Sequence, residues 1–144
     1  MENTQLQALV RLVSTHVAAP VRNWLVEHAP LGAIRRGEFK AEFTHADLIA
    51  MRYEQPPPDT AIHGEGDLVN VTLSDLLPGL PPLRNLSAHL RMTGRTLTLD
   101  DASAVLDTPH ERRLVLSEGG FVIDDNMLKP APATLDLRLS LIHI

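Results

Sequence analysis

The chain is 144 residues long and carries 13 Lys+Arg against 18 Asp+Glu for a net charge of -5, with 44% hydrophobic and 3% aromatic residues and no cysteine. This is enough chain for one domain with a buried core, and its acidic, aromatic-poor makeup lacks the basic stripe and stacking platforms of a nucleic-acid binder. Without cysteine there is no disulfide framework, no thiolate catalysis and no cysteine zinc site, and cytosol and periplasm remain equally open as compartments.

In chain order, residues 3–29 read as helical, because Leu6, Leu9, Val10, Val13 and Val17 recur on one face at helical spacing. Pro20 interrupts this stripe, or opens a second short helix carrying Val21, Trp24 and Leu25, and Pro30 and Gly32 end it. No stretch approaches the roughly 20 apolar residues of a membrane span, and the start lacks the basic region, apolar run and cleavage site of a secretory leader. Met1 reads equally well as an internal methionine of a longer protein.

From Gly37 the hydrophobic period changes to 2, and short alternating runs are separated by Gly, Pro, Asp and Asn. Strands are predicted at Glu38–Phe43, Asp47–Tyr53, Asp67–Leu73, Asn85–Thr93, Thr96–Ala104, Arg113–Leu116, Phe121–Ile123 and Thr134–Leu139. The clearest alternation sets Leu86, Ala88, Leu90 and Met92 against Ser87, His89, Arg91 and Thr93. Thr93-Gly94-Arg95 turns tightly into a strand in which Leu97 and Leu99 oppose Thr96 and Thr98, which predicts a hairpin with one apolar and one polar face. Pro56-Pro57-Pro58 and Pro78-Gly79-Leu80-Pro81-Pro82 are expected as loops, since proline cannot donate to a ladder. Leu139-Ser140-Leu141-Ile142-His143-Ile144 resembles the in-frame translation of a transposase-end sequencing adapter, so residues 1–138 are expected to be the single native domain; the other reading is a native final strand, since Leu135, Leu137, Leu139 and Leu141 keep period 2.

Candidate chemistry is sparse. The histidines at 16, 28, 45, 63, 89, 110 and 143 form no HExxH pair, and each is expected to be a solvated or loop residue. Asp100-Asp101 and Asp124-Asp125 lack the ligand spacing of a calcium loop and are expected to end strands. His63-Gly64-Glu65-Gly66 has no phosphate-loop lysine and is expected to be a turn. No serine lies in a Gly-x-Ser-x-Gly elbow. Neither an enzyme, a metal nor a cofactor is expected. The one-sided strands fit either a closed sandwich, whose two apolar faces cover one another, or a curved sheet whose apolar face stays open to acyl chains.

The segment Ala19-Pro20-Val21-Arg22-Asn23-Trp24-Leu25, then Gly32-Ala33-Ile34 and Gly37-Glu38-Phe39, resembles the start of the AsmA-like domain of large bacterial envelope proteins, the family related to YhdP and TamB. Ile62 to Leu68 and Pro82 to Leu99 look like its successive strands. The resemblance singles out Arg22, Trp24 and Gly32 as structural motif positions. It implies a fragment of a bridge-like lipid-transfer conduit on the periplasmic side of the inner membrane, anchored through segments absent here and moving phospholipid between inner and outer membrane along an apolar β-groove. The expected fold is thus mainly β, a curved and mostly antiparallel open sheet with an N-terminal helical segment. Its phospholipid-facing residues would be Val69, Val71, Leu73, Leu86, Leu90, Met92, Leu97 and Leu99. The alternative is a closed β-sandwich serving as a structural or adhesive module of the envelope.

Overall fold

A computed structural model describes residues 4, 5, 8, 11, 23, 26, 27, 31–53, 55–75, 78–109, 112–125 and 132–143. Within these the chain is one antiparallel sheet whose strands follow one another in sequence order. A two-residue strand β1 (Thr4–Gln5) is followed by six long ones: β2 (Leu31–Ala41), β3 (Ile62–Leu73), β4 (Leu83–Thr93), β5 (Leu97–Thr108), β6 (Arg112–Ile123) and β7 (Ala133–His143). Every neighbouring pair is antiparallel. The sheet is open, since β7 does not return to β2, and the described strands form no second sheet to close a sandwich.

At the N-terminus the described residues Ala8, Arg11, Asn23, Val26 and Glu27 are helical, in line with the expectation, and the difference lies at its start. Thr4 and Gln5 pair as a strand with Ile34 and Ala33 instead of beginning a helix. Most of the apolar stripe at 6–25, with Arg22 and Trp24, lies outside the described residues. A second correction concerns Asp47–Tyr53, which is not a strand: α1 (His45–Arg52) occupies it. Thr44 and Asp47 form a reciprocal cap there, the Asp47 N–H donating to Thr44 Oγ1 at 3.1 Å and the Thr44 N–H to Asp47 Oδ2 at 2.8 Å. That local gain favours a helix start over the apolar run that suggested a strand.

Both proline clusters are loops, as expected. The first leads through a 3₁₀ turn at Asp59–Ala61 that clasps the β4–β5 turn. Thr93 Oγ1 donates to Asp59 Oδ1 at 2.5 Å, and the Arg95 and Gly94 N–H groups donate to Asp59 Oδ1 and the Asp59 carbonyl, each at 3.0 Å. Gly94 is needed for this approach, because a Cβ there would lie 2.6 Å from the Pro58 carbonyl oxygen.

Each strand from β2 to β6 carries one extra residue. Register shifts mark the positions, and Arg36, Asn70, Asn85, Asp101 and Glu118 occupy them with φ between 50° and 53°. All five are exposed. Asn and Asp accept this left-handed conformation more readily than most residues, whereas Arg36 and Glu118 occupy it against preference. A bulge of this kind bends its strand and shifts the alternation of side chains by one. Asp100-Asp101 therefore does not end a strand; it lies inside β5, Asp101 being the extra residue. For the same reason the two short strands predicted at Arg113–Leu116 and Phe121–Ile123 are one strand interrupted by the Glu118 bulge. Asp124-Asp125 does follow the end of its strand.

Candidate functional site

With the bulges counted, each long strand sends apolar or glycine residues to one face and mostly polar residues to the other. Registers align the apolar positions into rows that cross the sheet. One row runs Phe39, Gly64, Met92, Leu97, Ile123, Ala133, and the next runs Gly66, Leu90, Leu99, Phe121, Leu135. At the far ends of the strands lies Leu73, Leu83, Leu106, Leu114, Leu141. Between them Leu68, Val71, Leu86, Ala88 and Ala104 form the buried centre, with Val71 only 1% exposed. The margins are open: Phe39 is 58% exposed, Leu135 64% and Leu139 56%.

Glycines shape this face on the β2–β3 side. A Cβ on Gly64 would lie 2.8 Å from Met92 Cγ and 3.3 Å from Phe39 Cδ2, and one on Gly66 would lie 2.7 Å from Ile34 Cγ2. Neighbouring side chains therefore lie across the glycine positions. His63-Gly64-Glu65-Gly66 is accordingly not a turn but the first part of β3, its glycines on the apolar face and its His and Glu on the other. Gly32, at the start of β2 with φ +125°, is held against β3: a Cβ there would meet Val71 Cα and the Asn70 carbonyl at 2.8 Å.

Of the predicted apolar set, Val71, Leu73, Leu86, Leu90, Met92, Leu97 and Leu99 share one face. Val69 does not. It pairs with Ala33 beside the Ile34–Leu68 pair, and the Asn70 bulge separates it from the Val71 phase, so it lies on the polar face.

That polar face is laced by charge. Asp107 of β5 accepts from Arg84 of β4 and from Arg113 Nε of β6 at 3.1 Å, and Arg91 donates to Asp100 across β4 and β5. Arg138 Nε meets Glu118 at 3.0 Å. His89, expected as a solvated histidine, instead bridges two carboxylates of β3, with Nδ1 2.9 Å from Asp67 Oδ1 and Nε2 2.9 Å from Glu65 Oε1. Its pKa is raised above the usual 6.5, first by the hydrogen bond to Asp67 and, less strongly, by the bond to and charge of Glu65, against partial desolvation. Sequence reasoning missed this bridge because its three residues lie on two strands and meet only through register.

Among the described residues no group of three or more His, Asp or Glu side chains is placed to hold a metal ion, and no helix is long and apolar enough to cross a membrane.

No protein-family model matches the chain, and no solved structure matches it. Among curated proteins it is similar to one named ABC transporter atnG, from Emericella nidulans, at 28% identity over 122 residues, which is 81% of this chain and 8% of that protein. The chain thus spans a small part of the length of this curated relative.

Proposed function

We propose that the apolar face is a groove for lipid acyl chains, and that the chain is a segment of a lipid-transfer conduit in the bacterial envelope, facing the periplasm, of the AsmA-like kind. The observation that carries this reading is the unbroken set of apolar rows running across the strands from β3 to β7 on one face of an open sheet. Along the three rows named above a lipid meets leucine, isoleucine, methionine or phenylalanine at most positions, with Gly64, Gly66 and Ala133 at the margins. The bulges support the same reading, because the extra residue of each strand is exposed and polar while the residues beside it keep their faces. Added backbone on the polar side bends a sheet toward its apolar side.

The energetics suit such a surface. Exposing an acyl chain to water costs about 0.8 kcal/mol per CH₂, so moving a two-chain lipid through water meets a barrier on the order of 20 kcal/mol. A continuous apolar wall removes most of that barrier. Since the hydrophobic effect is non-directional, the wall needs no catalytic group and no fixed side-chain identity.

Native mass spectrometry with lipid extraction tests this on chain purified from bacteria. Phospholipid is expected on the wild type and is lost from Leu90→Glu and Leu97→Glu variants that remain folded by circular dichroism. A monodisperse, folded and lipid-free wild type overturns the reading.

A further inference from the structure

On the polar face the register places Arg35, Asp67, His89 and Asp100 in one row across β2, β3, β4 and β5. Glu38, Glu65 and Arg91 form the adjoining row. Within this field His89 approaches a different carboxylate with each ring nitrogen, both at 2.9 Å. An ionised carboxylate only accepts hydrogen bonds, and a neutral imidazole has a single N–H. Both contacts are therefore satisfied together only by the imidazolium.

We propose that His89 is a protonation-controlled latch that ties β4 to β3 when charged and loosens that seam when it loses its proton. On deprotonation one ring nitrogen turns a lone pair toward a carboxylate oxygen. Glu65 and Asp67 then keep no shared cation between them, and Asp100 adds a third carboxylate opposite His89. Arg91 does not take over, because it is engaged with Asp100, and Arg35 sits beyond Asp67 on β2. The seam matters to the other face, since Asp67 and His89 stand directly between the apolar pairs Gly66–Leu90 and Leu68–Ala88. The Asp101 bulge directly follows Asp100 of the same row, and the Asn70 bulge lies two residues beyond Leu68. Protonation thus sets how firmly the centre of the sheet is held, whether or not the apolar face carries lipid.

The direction with pH follows from which state is favoured. The fold prefers the protonated ring, so the latch is complete below the unfolded histidine pKa of about 6.5 and is lost as pH rises through the higher folded value. Hydrogen exchange on the full chain, corrected for intrinsic rates, reads it directly. Amide protection at Asp67, Leu68, His89 and Leu90 is expected to fall several-fold between about pH 6 and pH 8.5 in the wild type. His89→Arg, a permanent cation, is expected to stay protected throughout, and His89→Gln to show low protection at both values. Proton NMR of the His89 ring is expected to give a midpoint above 6.5 that drops in Asp67→Asn. A midpoint at or below 6.5, or wild-type protection that does not change with pH, overturns the latch, and both readouts stand even where His89→Gln fails to fold.

Discussion

Val71→Asn unfolds the chain or lowers its stability by at least about 3 kcal/mol, while Val69→Asn costs less than about 1 kcal/mol. The two substitutions lose the same β-propensity, so their difference isolates the face. Val71 is 1% exposed and is grouped with Leu68, Leu86, Ala88 and Ala104, where an amide finds no hydrogen-bonding partner and displaces apolar contact. Val69 is half-buried on the polar side, where water and neighbouring polar groups can satisfy the amide. Urea unfolding of the two variants beside the wild type checks this. Equal losses would mean that the Asn70 bulge does not shift the alternation.

Deleting Asp101 leaves a folded chain with both faces intact, whereas deleting Ser103, two residues away, does not. Without Asp101 the strand reads Leu99 in, Asp100 out, Ala102 in, Ser103 out, Ala104 in, and the pairs His89–Asp100 and Ser87–Ser103 become an unbulged ladder. The same holds toward β6, where Leu99–Phe121 and Ala102–Gly119 close up. Without Ser103 the strand has two options, both costly. It can keep the bulge and turn the buried Ala104 and Leu106 outward, or surrender the bulge and carry the Asp101 carboxylate onto the apolar face. Either costs several kcal/mol, about the worth of a buried leucine or of an unpaired buried charge. Thermal melts separate the two deletions, and a cooperative transition for ΔAsp101 with none for ΔSer103 is the expected result. Small-angle scattering should further show ΔAsp101 to be more extended, because one bend is gone.

These bulges also explain how far the residues alone could be read. The β4–β5 hairpin was legible because strict alternation runs from Leu86 to Thr93 and resumes at Leu97 after a glycine turn. A phase slip, by contrast, looks like the end of a strand. Asp100-Asp101 therefore reads as a terminus, Ser117-Glu118-Gly119-Gly120 splits β6 in two, and Val69 groups with Val71. The usable signal is a pattern in which an apolar residue, a polar residue and one further exposed polar residue precede the next inward position, as in Leu99-Asp100-Asp101-Ala102; Leu68-Val69-Asn70-Val71 lacks it because Val69 is apolar. Thr44-His45-Ala46-Asp47 has the letters of a capping box, and this local signal outweighs the apolar run Leu48 to Met51 that follows it. The apolar residues of the groove were mostly legible, since alternation alone places them. The His89 bridge was not, since Glu65 and Asp67 come within reach only when β3 and β4 are in register.

The most direct test of the groove is a photocrosslinking scan along β4 and β5 in living bacteria, with a benzophenone side chain placed at each position in turn and phospholipid detected on the purified chain. The account predicts adducts at the partly exposed Leu90, Leu97 and Leu99 and none at Ser87, His89, Arg91 or Thr98. Beyond Asp101 the adducts should move to Ala102, following the one-residue slip of the strand. Adducts on neither face, or on both faces alike, would contradict the claim that the apolar side of this sheet holds lipid.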